Sequence, residues 1–352
     1  VIEGSADEQA IADALTRADY FRRSPGRFGG TRYYKEWQHF LIHAEGLHLL
    51  INFNLNDDPW APDARHAETA RLIVLAKREN WEGDADRFQP EEVTVEAGSI
   101  DATFGRNTLR FRDGCYHVSF ALRHRPIAGE LVIKPAAFPG LGYNQPLAGM
   151  GTNSWLFVPR ALASGEVRLD GHTQRFTEAP AYHDHNWGHF TWGDDFSWEW
   201  GSGVPRDKGN PWSVVYVRMS DRGRSIARSQ ALYIWHGTQP RRIFYDAQIR
   251  AETSGRLRGP RLLKVPRPMA LLSPGGAHDV PQRLTCLGRA DDDEVMMTFV
   301  ADAAAQIIMP SEIDLTSIAV LNEVNGHVEL KGRLGGEPVH MEGPGVFEFI
   351  RD

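Results

Sequence analysis

The sequence predicts an all-β protein with one short helix at its N-terminus. Three observations carry that expectation. Long stretches alternate their side chains in period two, 34 glycines and 21 prolines supply turns for many short strands, and a Glu-Trp pair recurs at an offset of 163 residues. At 352 residues the chain has the length of about two domains.

The helix comes first. Ser5 and Glu8 have the spacing of a capping box, and Ile11, Ala14, Leu15 and Ala18 then form one apolar stripe. The stripe predicts an end near Asp19. Beyond it, Arg71 to Lys77 fits strand or helix on periodicity alone. Val214 to Met219 carries bulk on both faces, as a strand covered on two sides does. Ile243 to Arg250 and Val328 to Lys331 alternate, and aromatic and β-branched residues are frequent throughout. Glu36-Trp37 is followed, fourteen residues after the tryptophan, by Ile51-Asn52-Phe53; Glu199-Trp200 is followed at the same distance by Val214-Val215-Tyr216. The shared rhythm predicts duplicated β domains. Asp57 to Thr69 and Thr253 to Arg283 read as loops. The second holds Arg256, Arg258, Arg261, Lys264 and Arg267 without interleaved aromatics, so it reads as a solvated connection rather than a lid over an anion.

Composition excludes several function classes. The net charge of −7 argues against nucleic acid as a partner, since phosphate binding needs clustered basic side chains. No apolar run is long enough for a membrane span. Two cysteines, 171 positions apart, exclude a disulfide scaffold and a multi-cysteine zinc site. No secretory signal is visible, so the expected location is cytoplasmic, with a trimmed start at Val1. There is no Gly-x-Ser-x-Gly elbow, no His-Glu-x-x-His, no phosphate loop and no dinucleotide fingerprint.

The densest segment is Tyr182-His183-Asp184-His185-Asn186-Trp187-Gly188, followed by His189, Trp192, Trp198, Glu199 and Trp200. Period two puts Tyr182, Asp184 and Asn186 on one face of a strand and His183, His185 and Trp187 on the other. Three readings are open. The two histidines could ligate a metal, but a third ligand is missing and no metal is expected. The polar residues could tie the strand to neighbouring backbone. Or a carboxyl group in an aromatic, poorly solvated pocket could act as a general acid.

This heptapeptide resembles the hydroxyneurosporene synthase (carotenoid 1,2-hydratase) superfamily, AttH-like proteins included. Glu36-Trp37, Phe196-Ser197-Trp198-Glu199-Trp200 and Gly343-Pro344-Gly345-Val346-Phe347-Glu348 fit the same pattern, from about Phe28 to the C-terminus. The resemblance implies two tandem lipocalin-like (calycin-type) β-barrel domains, here 1–190 and 191–352. It implies hydratases of acyclic carotenoids or lipocalin-type cyclases that run Diels–Alder reactions. The hydratases' Tyr-x-Asp is present as Tyr182 and Asp184. Their His-x-Trp has its best match in Asn153-Ser154-Trp155, where asparagine replaces histidine and cannot shuttle a proton at neutral pH. That departure moves the expectation from carotenoid hydration to another reaction on a hydrophobic polyene, isoprenoid or polyketide-like substrate.

The resemblance thus implies a cofactor-independent lyase or isomerase with Asp184, Tyr182, Trp155 and Asn153 as catalytic residues. Trp37, Asn186, Trp187, Trp198, Trp200, Tyr216, Tyr233 and Trp235 are the expected substrate-binding residues. His183 and His185 are expected to make structural hydrogen bonds behind the site. Neither cofactor nor metal is expected, and the only expected partner is a hydrophobic small molecule. A lipocalin-like carrier that performs no chemistry is the alternative.

Overall fold

The computed structural model describes residues 3–22, 33–57, 68–147, 151–258, 262–272, 280–314 and 317–351. Helix α1 spans Glu3–Ala18 and is followed by strands. In the first half these are β1 Tyr34–Ala44, β2 Leu47–Asp57, β3 Glu68–Lys77, β4 Trp81–Phe88, β5 Val93–Val95, β6 Asp101–Phe104, β7 Asn107–Arg112, β8 Cys115–Ala121, β9 Ile127–Pro135, β10 Gly140–Pro146, β11 Thr152–Leu169 and β12 His172–His189. The second half has β13 Ser197–Gly203, β14 Trp212–Ser220, β15 Ala227–His236, β16 Gln239–Tyr245, β17 Ile249–Ser254, β18 Leu263–Val265, β19 Arg283–Ala290, β20 Asp293–Pro310, β21 Ile318–Leu334 and β22 Glu337–Arg351.

The chain divides into two compact units, the first ending at Thr191 and the second running from Trp192, with 79–81 and 147–150 grouped with the second. Each is built on one sheet. The first runs β4-β3-β2-β1-β12-β11-β9-β8-β7-β6-β5, with β10 beside β11; the second runs β16-β15-β14-β13-β22-β21-β20-β19-β17, with β18 beside β20. A common path of nine strands therefore occurs twice, from β4 to β7 in the first sheet and from β16 to β17 in the second. Registers agree as well: Glu36 stands opposite Trp187 and Trp37 opposite Asn186, while Glu199 stands opposite Phe349 and Trp200 opposite Glu348. The sheet of the first unit curls far enough for β3 to touch β6. Two lipocalin-like β domains with one short N-terminal helix is the architecture.

The core of the first unit takes alternate residues of β1 (Tyr34, Phe40, Ile42), β2 (Leu49, Ile51, Phe53) and β12 (Ala181, Trp187), and α1 adds Ile11 and Leu15. The core of the second takes Val214, Tyr216, Leu232, Phe299, Val324 and Phe347.

Several local expectations change. The helix starts at Glu3, so Ser5 lies in its first turn rather than at its cap; the Ser5 side chain is outside the described residues. Arg71 to Lys77 is strand, as part of β3. Ile243 to Arg250 is not one strand. Asp246 has φ +44°, a left-handed conformation that aspartate tolerates, and a 3-10 turn at Asp246–Gln248 divides β16 from β17. The basic segment after Thr253 is not wholly irregular, because β18 and a 3-10 helix at Arg267–Leu272 lie within it. Arg261 and positions 58–67 of the other loop are outside the described residues.

Candidate active site on strand β12

β12 lies at the centre of its sheet, paired with β1 on one side and β11 on the other. Alternation therefore sends its two side-chain rows to opposite faces of a fully paired strand. Tyr182, Asp184 and Asn186 point away from the barrel core. Asp184 stands between His39 of β1 and Phe157 of β11, and Asn186 between Trp37 and Trp155. Asp184 is only 3% exposed and Tyr182 is fully buried. Asn186 donates its amide N–H to Asp184 Oδ1 at 2.6 Å, and Asn153 donates to Asn186 Oδ1 at 3.4 Å. Asparagine thus serves here as the outer donor of a relay that ends on the carboxyl group. Trp155 stacks on Phe157 with ring centroids 4.4 Å apart. Both rings lie across glycines of β10: a Cβ at Gly142 would fall 2.3 Å from Trp155 Nε1, and one at Gly140 would fall 2.2 Å from Phe157. His39 lies 3.4 Å, Nδ1 to amide nitrogen, from Asn52, and burial, with a smaller effect from His183, pushes its pKa down to about 3. This face therefore combines a buried carboxyl group, a neutral imidazole, amides and indole rings.

The other face of β12 holds a second polar group inside the barrel. His183 Nε2 lies 3.0 Å from Asp19 Oδ2, His185 Nδ1 lies 2.9 Å from Asp19 Oδ1, and His185 Nε2 lies 2.9 Å from Glu36 Oε1. Tyr116 donates its hydroxyl to Asp19, Tyr34 donates to Glu36 Oε2, and Gln38 donates to the Asp19 carbonyl oxygen. All four ionisable side chains in the histidine–carboxylate chain are completely buried. Burial alone would push Asp19 up, but its charge interactions and hydrogen bonds with His183 and His185 outweigh that and hold it well below the usual carboxylate range. Burial pushes His185 down; its two carboxylate partners outweigh that, and its pKa is raised. His183 and His185 thus fix the strand from behind while Asp184 and Asn186 face forward.

The structure brings Asp184, Tyr182, Asn153, Trp155, Trp37 and Asn186 onto one face. It does not bring Trp187 or Tyr216 to that face. Trp187 lies in the core of the first unit, with the Arg22 guanidinium 3.4 Å over its ring, and Tyr216 lies in the core of the second. Both were grouped with substrate-binding residues for their aromatic character, and the pleat puts them on the wrong side. Trp198, Trp200, Tyr233 and Trp235 face away from the core of the second unit and are buried. Asp19 and Tyr116 were missed. The groups that define their role, His183 and His185 for Asp19 and Asp19 for Tyr116, are more than 90 positions away along the chain, so no local spacing marks them. Among the described residues, Glu329, His340 and Glu342 are the one group whose ligand atoms lie within 4.8 Å of one another. They are half-buried to exposed, and the Lys331 ammonium already pairs with Glu329.

No protein-family model and no curated protein sequence matches the chain. Solved structures do. A protein of Nitrosomonas europaea with the provisional name AttH superposes with a TM-score of 0.61 at 14% identity, over 94% of this chain and 97% of that one. Kievitone hydratase from Nectria haematococca gives 0.57 at 12%, covering 96% and 92%. CghA with Sch210972 gives 0.56 at 13%, covering 90% and 88%. The fold is theirs. One of them is a hydratase, and among the described residues no helix is long and apolar enough to cross a membrane.

Proposed function

We propose that the chain is a cofactor-independent enzyme of the hydratase or cyclase type. Its substrate is a hydrophobic small molecule, a polyene, isoprenoid or polyketide-like chain, and its reacting face is the outer face of β12. The observation that supports this most is the Asp184 carboxyl group, buried beside Trp37, Trp155 and Phe157 and oriented by the Asn186 amide. A carboxyl group in such a setting exchanges a proton with an alkene or carbonyl carbon skeleton while water is excluded. Tyr182, two residues back on the same face, orients the reacting group or a water. Trp155 and Trp37 stabilise a developing cation through their ring faces. In a ring closure the same surface acts mainly by folding the chain, and one hydrogen bond polarises it.

The test is Asp184→Asn, assayed by mass spectrometry against a panel of acyclic polyenes and their ketones. Acid catalysis predicts a turnover loss of about 10² to 10⁴, roughly 3 to 5 kcal/mol of barrier, with melting temperature unchanged. A ring closure run by shape loses much less, because an amide still donates a hydrogen bond. Binding without turnover in the wild-type protein would leave only the carrier.

A further inference from the structure

The second unit carries polar side chains that the function above leaves without a task. β21 and β22 pair so that Glu323 stands directly opposite Glu348, and β13 places Trp200 opposite Glu348 on the other side. All three point away from the core of this unit, which takes Val324, Phe347 and Phe349 from the intervening positions. Glu323 is 1% exposed and Glu348 9%. Directly opposed residues hold their Cβ atoms about 4.5–5.5 Å apart, so the two carboxyl groups meet. The Glu323 carboxyl group lies within hydrogen-bonding reach of Glu348, and the Trp198 indole N–H donates to Glu348 Oε1. Two carboxylates are both acceptors, so a hydrogen bond between them requires one proton. Burial raises the pKa of Glu348, opposed in part by its bonds with Glu323 and Trp198.

The neighbouring row of the same face supplies a second observation. Ser202 of β13 and Asn325 of β21 both stand opposite Val346, one step from the glutamate pair. Each is 1% exposed. Ser202 Oγ and Asn325 Oδ1 have no hydrogen-bond partner among the described residues, although the Asn325 amide nitrogen donates to Asp302 Oδ2 at 3.1 Å. Buried polar atoms left unmatched are rare, and a ligand that meets them relieves the cost. The strands alongside bring Val215 and Val217 from β14 and Ala303 and Ala305 from β20, all uncharged. Arg218 of β14 and the nearby Arg224 pair with Glu199 instead.

We propose that Glu323 and Glu348 share one proton and, with Ser202 and Asn325, form a site that hydrogen-bonds the carbonyl or hydroxyl oxygen of an otherwise apolar ligand. The ligand class rests on the hydrophobic-substrate reading; the shared proton does not. The first half supports the placement: Asn186 stands opposite Trp37 as Glu348 stands opposite Trp200, so both halves put a polar group at this register.

Two measurements test the proposal. Infrared spectra of protein labelled with carbon-13 at glutamate carboxyl groups, taken at neutral pH in light and heavy water, report protonated carboxyl groups directly. The expected result is a protonated-carboxyl band in the wild type that both Glu323→Gln and Glu348→Gln remove. Absence of the band in the wild type overturns the proposal without any variant having to fold, and so does its survival in both folded variants. The second measurement is displacement of Nile red by farnesylacetone and by the hydrocarbon of the same skeleton without the ketone oxygen. Glu323→Leu, which removes the donor that a glutamine would keep, is expected to weaken the ketone about tenfold without weakening the hydrocarbon. Equal weakening of both probes shows packing alone and overturns the site. If neither probe binds even the wild type while the infrared band behaves as expected, the hydrophobic-ligand reading is overturned and the proton pair stands.

Discussion

Glu36 and Glu199 occupy matched positions in the two halves, and each is a buried carboxylate on a central strand. Their surroundings differ. In the first unit Glu36 meets His185, which also binds Asp19, and every member of that chain is fully buried. In the second, Glu199 meets Arg218 at 3.6 Å and Arg224 at 3.1 Å, whose side chains stay 19% and 26% exposed. A guanidinium on a long stem reaches from a buried carboxylate to water; an imidazole is too short and must find its second partner inside. The second unit therefore retains a route to solvent, whereas the first relies on complete internal matching.

The contrast predicts unequal sensitivity. Asp19→Ala, which leaves two imidazoles and the Tyr116 hydroxyl without their shared partner, is expected to cost about 3–5 kcal/mol in denaturant unfolding. Glu199→Gln frees arginines that can turn to water, and about 1–3 kcal/mol is expected. Equal losses would break the comparison. Gly142→Ala sharpens it for the outer face of the first unit. Its new methyl group has to displace the Trp155 ring, at a cost of about 1–3 kcal/mol and with a shift in tryptophan fluorescence.

A pH-dependent effect separates the two faces of one strand pair. His39, on the outer face, is held neutral with a pKa of about 3 against an unfolded value of 6.5. Its contribution to stability is fully present above 6.5 and is lost as pH falls below that value. His185, inside, has a raised pKa, so its contribution is present below 6.5 and is lost as pH rises through its folded value. His39→Gln is therefore expected to flatten the acid side of the stability curve by about 1.4 kcal/mol per pH unit. Replacing His185 instead acts on the alkaline side. A His39→Gln curve parallel to wild type between pH 6.5 and the acid transition would contradict the assignment.

Much of this arrangement was readable in the chain. The alternation from Tyr182 to Trp187 assigned the two faces of β12 correctly, and the recurrence of Glu-Trp marked positions that prove equivalent in register. Counting tryptophans without their face misplaced Trp187. The alternating run through Asp246 hid a break, because a single left-handed residue leaves the pattern of side chains intact. Asp19, Tyr116 and the Glu323–Glu348 pair carry no local signature. Their meaning depends on which strands lie side by side, and for Asp19 the bonded histidine is 164 positions away.

That last separation bears on how the chain is made. α1 precedes every strand of its unit, yet the groups that anchor its end, His183 and His185, come eleven strands later. At about 5–20 residues per second, a ribosome needs roughly 8–30 s to deliver them. During that interval Asp19 lacks both of its histidine partners, and β1 lacks its partner β12. β1 and β11 thus acquire their shared partner only when β12, the strand bearing Asp184, arrives. A nascent chain halted before His183 lacks the strand that joins β1 to β11, both histidines that hold Asp19, and Asp184 itself.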